Sequence, residues 1–128
     1  MFPVTAKTKE GKSVAGWYAY IDRQHYISTA KHLLLASSEQ VVVYVEIDPT
    51  TAKVLTGKKD KHGVEIGGSM GELTGGDNLL WSIGGEKITR IASWSPHYLS
   101  WMAVDGSHAT GLVHILNRNI EIIPKEGE

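Results

Sequence analysis

A chain of 128 residues suits one domain with a single apolar core, and 41% hydrophobic against 21% charged residues is an ordinary globular balance rather than that of a disordered chain. The net charge of -1 gives no support for a broad nucleic-acid-binding surface, since nonspecific affinity scales with the phosphates neutralised, and leaves room for a local basic patch. The lack of cysteine removes disulfides, thiolate-bound zinc, iron–sulfur clusters and thiol nucleophiles together, in keeping with a reducing cytoplasm.

In chain order, Val4-Thr5-Ala6-Lys7 alternates weakly and reads as extended, with a turn at Lys9-Glu10-Gly11-Lys12. Residues 14–21 are rich in strand formers. Asp22-Arg23-Gln24 connects them to a second strand at 25–29, which predicts a hairpin. The apolar run within 30–40 fits a short helix around 30–37 or a short strand, since periodicity does not separate the two. Residues 41–47 form the clearest strand, and Asp48-Pro49 is expected to end it because proline lacks the amide proton. Residues 50–55 are a further strand or a connector. Lys61-His62-Gly63 reads as a turn into Val64-Glu65-Ile66.

Glycines at 67, 68, 71, 75 and 76 mark 67–76 as an expected mobile loop. Strands are expected at 79–83, 87–94, 98–104, 112–116 and 120–123. Gly84-Gly85, Ser95-Pro96, Asp105-Gly106 and Asn117-Arg118 separate them. Such short spacing predicts a mostly-β single domain with a barrel-like C-terminal half and at most one short helix. The charged end, 125–128, reads as a frayed tail. No apolar run approaches the ~20 residues of a membrane-spanning helix, and the N-terminus lacks the pattern of a signal peptide, so no membrane association is expected.

Three segments carry a family resemblance. Gly16-Trp17-Tyr18 is followed by His25-Tyr26-Ile27. Val45-Glu46-Ile47-Asp48-Pro49-Thr50-Thr51 then runs into Thr56-Gly57-Lys58-Lys59-Asp60-Lys61-His62-Gly63-Val64-Glu65-Ile66. Asn119-Ile120-Glu121-Ile122-Ile123 closes the series. The order resembles the YopX-like family of phage and prophage proteins over residues 14–123, with 45–66 its most specific part. The resemblance implies one domain over 1–128 and a phage-encoded source, and carries no biochemical activity with it. Lys58 stands where the family has Leu, and 67–75 interrupts the family pattern before Gly76-Asp77. The stretch reads as a surface insertion dispensable for folding. The signature residues Asp48, Pro49, Thr56, Gly57, Asp60, Gly63 and Ile66 read as structural. Gly57 and Gly63 supply positive φ, and Asp60 bonds the amides of the turn it begins.

No catalytic constellation, cofactor motif or metal-ligand spacing stands out. The six histidines do not pair at ligand distance, and no Gly-x-Ser-x-Gly elbow occurs. Gly67-Gly68-Ser69-Met70-Gly71 lacks the Lys-Ser/Thr of a phosphate loop. Trp94, Tyr98 and Trp101 fall close together. They suit a core or a subunit interface, and with Lys87 and Arg90 nearby they also suit a stacking platform for single-stranded nucleic acid. The expected function is that of a non-enzymatic accessory protein acting on an unknown protein partner and on copies of itself. The alternative is a nucleic-acid-binding module on the C-terminal strands.

Overall fold

The computed structural model describes residues 2–32, 40–106, 108–116 and 118–125. Two antiparallel sheets make up a mostly-β domain. The first holds β1 (Pro3–Lys7), β2 (Ser13–Ile21), β3 (Gln24–His32), β4 (Gln40–Glu46), β5 (Asp48–Lys59) and β6 (Glu65–Gly68), in the order β4-β3-β2-β1-β5-β6. The second holds β7 (Asn78–Ile83), β8 (Glu86–Ser95), β9 (Ser100–Asp105), β10 (His108–Gly111) and β11 (Glu121–Ile123), in the order β10-β9-β8-β7-β11. Among the described residues this C-terminal sheet is open, with β10 and β11 at its edges, and no closed barrel is formed where a barrel-like half was expected.

The β2–β3 hairpin turns at Asp22 and Arg23, both at positive φ, as two-residue hairpin loops of matching twist require. Asp48-Pro49 opens β5 directly after β4 rather than only ending a strand. The proline is tolerated near a strand start, where its missing donor breaks no ladder. Asp48 Oδ1 accepts from the Thr50 amide at 3.0 Å and its hydroxyl at 2.8 Å. The Thr51 hydroxyl donates to the Asp48 carbonyl at 2.7 Å, at a register shift between β1 and β5.

Three further expectations change. The strand expected at 112–116 is a 3-10 turn, Leu112–His114, and the strand lies at β10 instead. Leu112 and Ile115 point into the core from that turn, so an apolar pattern there reports burial rather than pleat. The strand expected from Tyr98 begins at Ser100, after a turn in which Leu99 takes φ 50. Of the helix expected around 30–37, residues 30–32 belong to β3 and the rest lie outside the described residues, as do 126–128 of the tail.

The glycine-rich stretch 67–76 is the joint between the sheets, not a surface loop. Gly67 and Gly68 belong to β6 and are buried. The Ser69 amide donates to the Ala92 carbonyl at 2.9 Å and the Trp94 amide to the Ser69 carbonyl at 2.8 Å, a parallel bridge onto β8. The Gly75 amide donates to Ala52 of β5 at 2.8 Å. Glycine serves here because β-carbons would collide. One at Gly68 would strike the Trp101 ring, and one at Gly75 the backbone of Thr51.

Two apolar clusters result. One places Ile66, Leu79, Trp81, Ala92, Ala103, Leu112, Ile115 and Ile120 between the C-terminal sheet and the 112–120 segment. The other packs Val4, Ala6, Ile27, Ala52 and Val54 of the first sheet and Ile47, between β4 and β5, with Leu73 and Met70. Trp101 touches both clusters.

Candidate functional site

Side chains alternate across a strand, so one face of the first sheet is core and the other is not. On the second face the register sets Trp17, Ser28 and Tyr44 side by side across β2, β3 and β4, and Ala19, Tyr26 and Glu46 in the next row. Trp17 and Tyr44 are each 51% exposed, and Ile21, two rows further along β2, is also exposed. Tyr26 and Tyr44 meet edge to face at 6.4 Å between centroids. The face ends at β4, which pairs only with β3 among the described residues. Its sequence, Gln40-Val41-Val42-Val43-Tyr44-Val45-Glu46, contains neither lysine nor proline, the residues that usually blunt an edge.

The core face of the β2–β3 hairpin carries a second feature. Tyr20 and His25 are cross-strand partners, and Tyr18 follows two residues before Tyr20 on the same side. A two-residue turn closes over them. Met70 and Leu73 exchange backbone hydrogen bonds at 2.8 and 3.0 Å, with Gly71 at φ 57 in its first central position. Glu72, at the second, accepts from His25 Nε2 at 2.8 Å, while the Tyr18 hydroxyl bonds His25 Nδ1. All three groups are satisfied when the neutral ring carries its proton on Nε2 and Tyr18 donates. His25 is buried and Glu72 largely exposed. Phe2 stacks on Tyr18 at 5.2 Å. A pocket of about 330 Å³ lies among Phe2, Tyr18, Tyr20, His25, Met70, Gly71, Glu72 and Leu73.

Burial, then the charges of Glu72 and Tyr20, push the Tyr18 phenol above its ordinary value. The hydrogen bonds of Tyr18 and Glu72 to His25 fix the three side chains together in one wall of the pocket. Sequence reasoning missed the pocket because Glu72 meets His25 from 47 residues away. The only local signal was the pairing of Tyr18, Tyr20 and His25 across a predicted hairpin.

The signature residues build the β5–β6 hairpin and dock β11 on it. The Thr56 hydroxyl donates to the Ile66 carbonyl at 2.7 Å, and Gly57 and Gly63 take φ 78 and 79. Ile66 is wholly buried. Asp60 does more than cap its own turn. Its carboxylate accepts from the amides of His62 and Val64 at 2.9 Å and from Ile122 of β11 at 3.3 Å. Burial opposes its ionisation, but the Val64, Ile122 and His62 amides and the neighbouring His62 ring outweigh burial and hold the carboxyl below its ordinary value.

A carboxyl with a depressed folded value stabilises fully above the unfolded value of about 3.9. That contribution is lost as pH falls through the folded value. Asp60→Asn is therefore expected to cost about 2 kcal/mol at neutral pH and to flatten the acid limb of a plot of Tm against pH. An acid limb as steep as that of the unaltered protein would show that Asp60 does not carry it.

Trp94 and Trp101 are brought together across β8 and β9, edge to face at 5.4 Å. Tyr98 stands apart in the turn, exposed, against His97. Trp101 is braced on Gly68, so its ring is part of the joint. Arg90 lies over Trp81 at 5.7 Å and donates to the Thr110 hydroxyl, away from the Trp94 pair.

Among the described residues no three His, Asp or Glu side chains gather as metal ligands, and no helix is long and apolar enough to cross a membrane. Comparison with protein-family models, with curated proteins and with solved structures finds no match for this chain.

Proposed function

We propose that this chain is a phage or prophage accessory protein of the host cytoplasm that acts through protein–protein contacts, not catalysis. Its first partner is a second copy of itself, joined through β4. The likeness of residues 45–66 to the YopX-like signature supports the source. The observation that carries the mode of action is the β4 edge, which among the described residues pairs only with β3 and adjoins the sheet face that exposes Trp17, Ile21 and Tyr44.

An antiparallel pairing of two β4 strands about Val43 sets Gln40 opposite Glu46 of the second copy, so no like charges face each other. It would extend the six-stranded sheet across a twofold axis and continue its aromatic face. Other protein partners would find the same edge. The nucleic-acid alternative has less support, because the Trp94–Trp101 pair meets edge to face and Trp101 is packed in the joint.

Light scattering after size exclusion is expected to give a dimer. Tyr44→Lys puts a lysine from each copy on the same face of the seam and is expected to weaken association at least tenfold, roughly 1.4 kcal/mol, with an intact fold by circular dichroism. A monomer at all concentrations, or a Tyr44→Lys protein that dimerises as before, would overturn the β4 contact. Tight binding of single-stranded DNA, abolished by Trp94→Ala, would favour the alternative.

A further inference from the structure

The pocket between the β2–β3 hairpin and the Gly71-Glu72 turn has the chemistry of a cation site. We propose that it binds an alkylammonium group, of the kind borne by a lysine side chain or a small free amine. Among the described residues its lining combines three aromatic rings beside His25, two apolar side chains and one carboxylate, and includes no lysine or arginine.

Aromatic faces carry partial negative charge and attract an ammonium placed over them. Phe2 and Tyr18 lie nearly parallel, with an interplanar angle of 17°, while Tyr20 tilts over His25 at 5.0 Å. Met70 and Leu73 offer an apolar surface for an alkyl stem. Glu72 gives the pocket its sign. Its carboxylate is held to the rim by buried His25, so it is oriented before any guest arrives, while most of its surface stays open.

An anion would meet Glu72 and the ring faces, both repulsive. A neutral guest would strip water from Glu72 without replacing it. A volume of about 330 Å³ accommodates a four-carbon amine with room to spare. The pocket is on the sheet face opposite Tyr44, so its occupancy does not depend on pairing through β4.

The test is an NMR titration of the full chain with butylamine, with Nα-acetyl-lysine amide, and with the neutral Nε-acetylated form of the latter. Saturable shifts at Tyr18, Tyr20 and Gly71 are expected with both amines. The acetylated probe is expected to bind about tenfold more weakly or worse, as loss of one cation–π and charge contact implies. Glu72→Gln and Tyr20→Ala, both at exposed side chains, are expected to weaken amine binding similarly without unfolding the chain. Tighter binding of the lysine amide than of butylamine assigns the pocket to a protein side chain, and the reverse assigns it to a free amine. The proposal is overturned if neither amine gives saturable shifts, if the acetylated probe binds as well, or if Glu72→Gln changes nothing.

Discussion

Asp77→Ala is expected to lower the free energy of unfolding by about 3 kcal/mol, read from the urea midpoint at constant slope. Asp77 is 5% exposed and lies where three elements meet. Oδ1 accepts from Lys53 Nζ of β5 at 2.7 Å, and Oδ2 from the Gly67 amide of β6 at 2.8 Å. Its own amide donates to the Gly67 carbonyl, and its carbonyl accepts from Ala92 of β8. Alanine keeps the backbone bonds and leaves the Gly67 donor and the Lys53 ammonium without their acceptor. A wholly buried pair broken on one side would cost more, but Lys53 keeps one third of its side chain in water and recovers part of its solvation. Asp77→Asn retains an acceptor and is expected to cost about half as much. A loss below about 1 kcal/mol for alanine would mean that backbone bonds alone hold the joint.

Gly76→Ala is expected to be as damaging, at about 3 kcal/mol or more and a Tm lowered by about 10 °C or more. A β-carbon there falls 2.5 Å from the Ser69 amide nitrogen and collides with the Ala92 carbonyl. Both obstacles are backbone already engaged with each other, and neither can swing aside. Gly68→Ala meets the Trp101 ring instead, so a smaller residue at 101 is expected to relieve it in part, whereas no side-chain change relieves Gly76→Ala. Removal of 67–75 should abolish the fold, the opposite of what an inserted surface loop would allow. A soluble, cooperatively melting deletion variant would restore the insertion reading.

The strands with alternating or β-branched residues were legible: β2 and β4 appear within a residue of where pattern places them, and β3 begins within a residue of its expected start but runs three residues further, to His32. The roles of Gly57, Gly63 and Asp60 in a hairpin were legible because turn chemistry is local. The stretch 67–76 was misread because glycine marks two opposite situations, a chain free to move and a backbone too close to another to admit a side chain. The sequence did hold a clue. Gly67-Gly68 continue Val64-Glu65-Ile66 without a polar break, and glycine inside a strand pattern signals close approach. Burial of Leu112 and Ile115 in the core, and the meeting of Glu72 with His25, depend on tertiary contacts that no local window contains.

The strand order also bears on how fast the molecule forms. β1 through β4 and β7 through β10 are meanders, each strand pairing with its sequence neighbour. Two seams are different in kind: β1 meets β5 with Val4 opposite Val54, and β7 meets β11 with Leu80 opposite Glu121. Each must close a long loop before its contacts offset the entropy of closure. The seams are therefore expected to set the barrier, and stopped-flow refolding is expected to fall in the roughly millisecond-to-second range of sheet proteins. Substitutions along β5 and β11 should slow folding where those on the meander turns chiefly hasten unfolding.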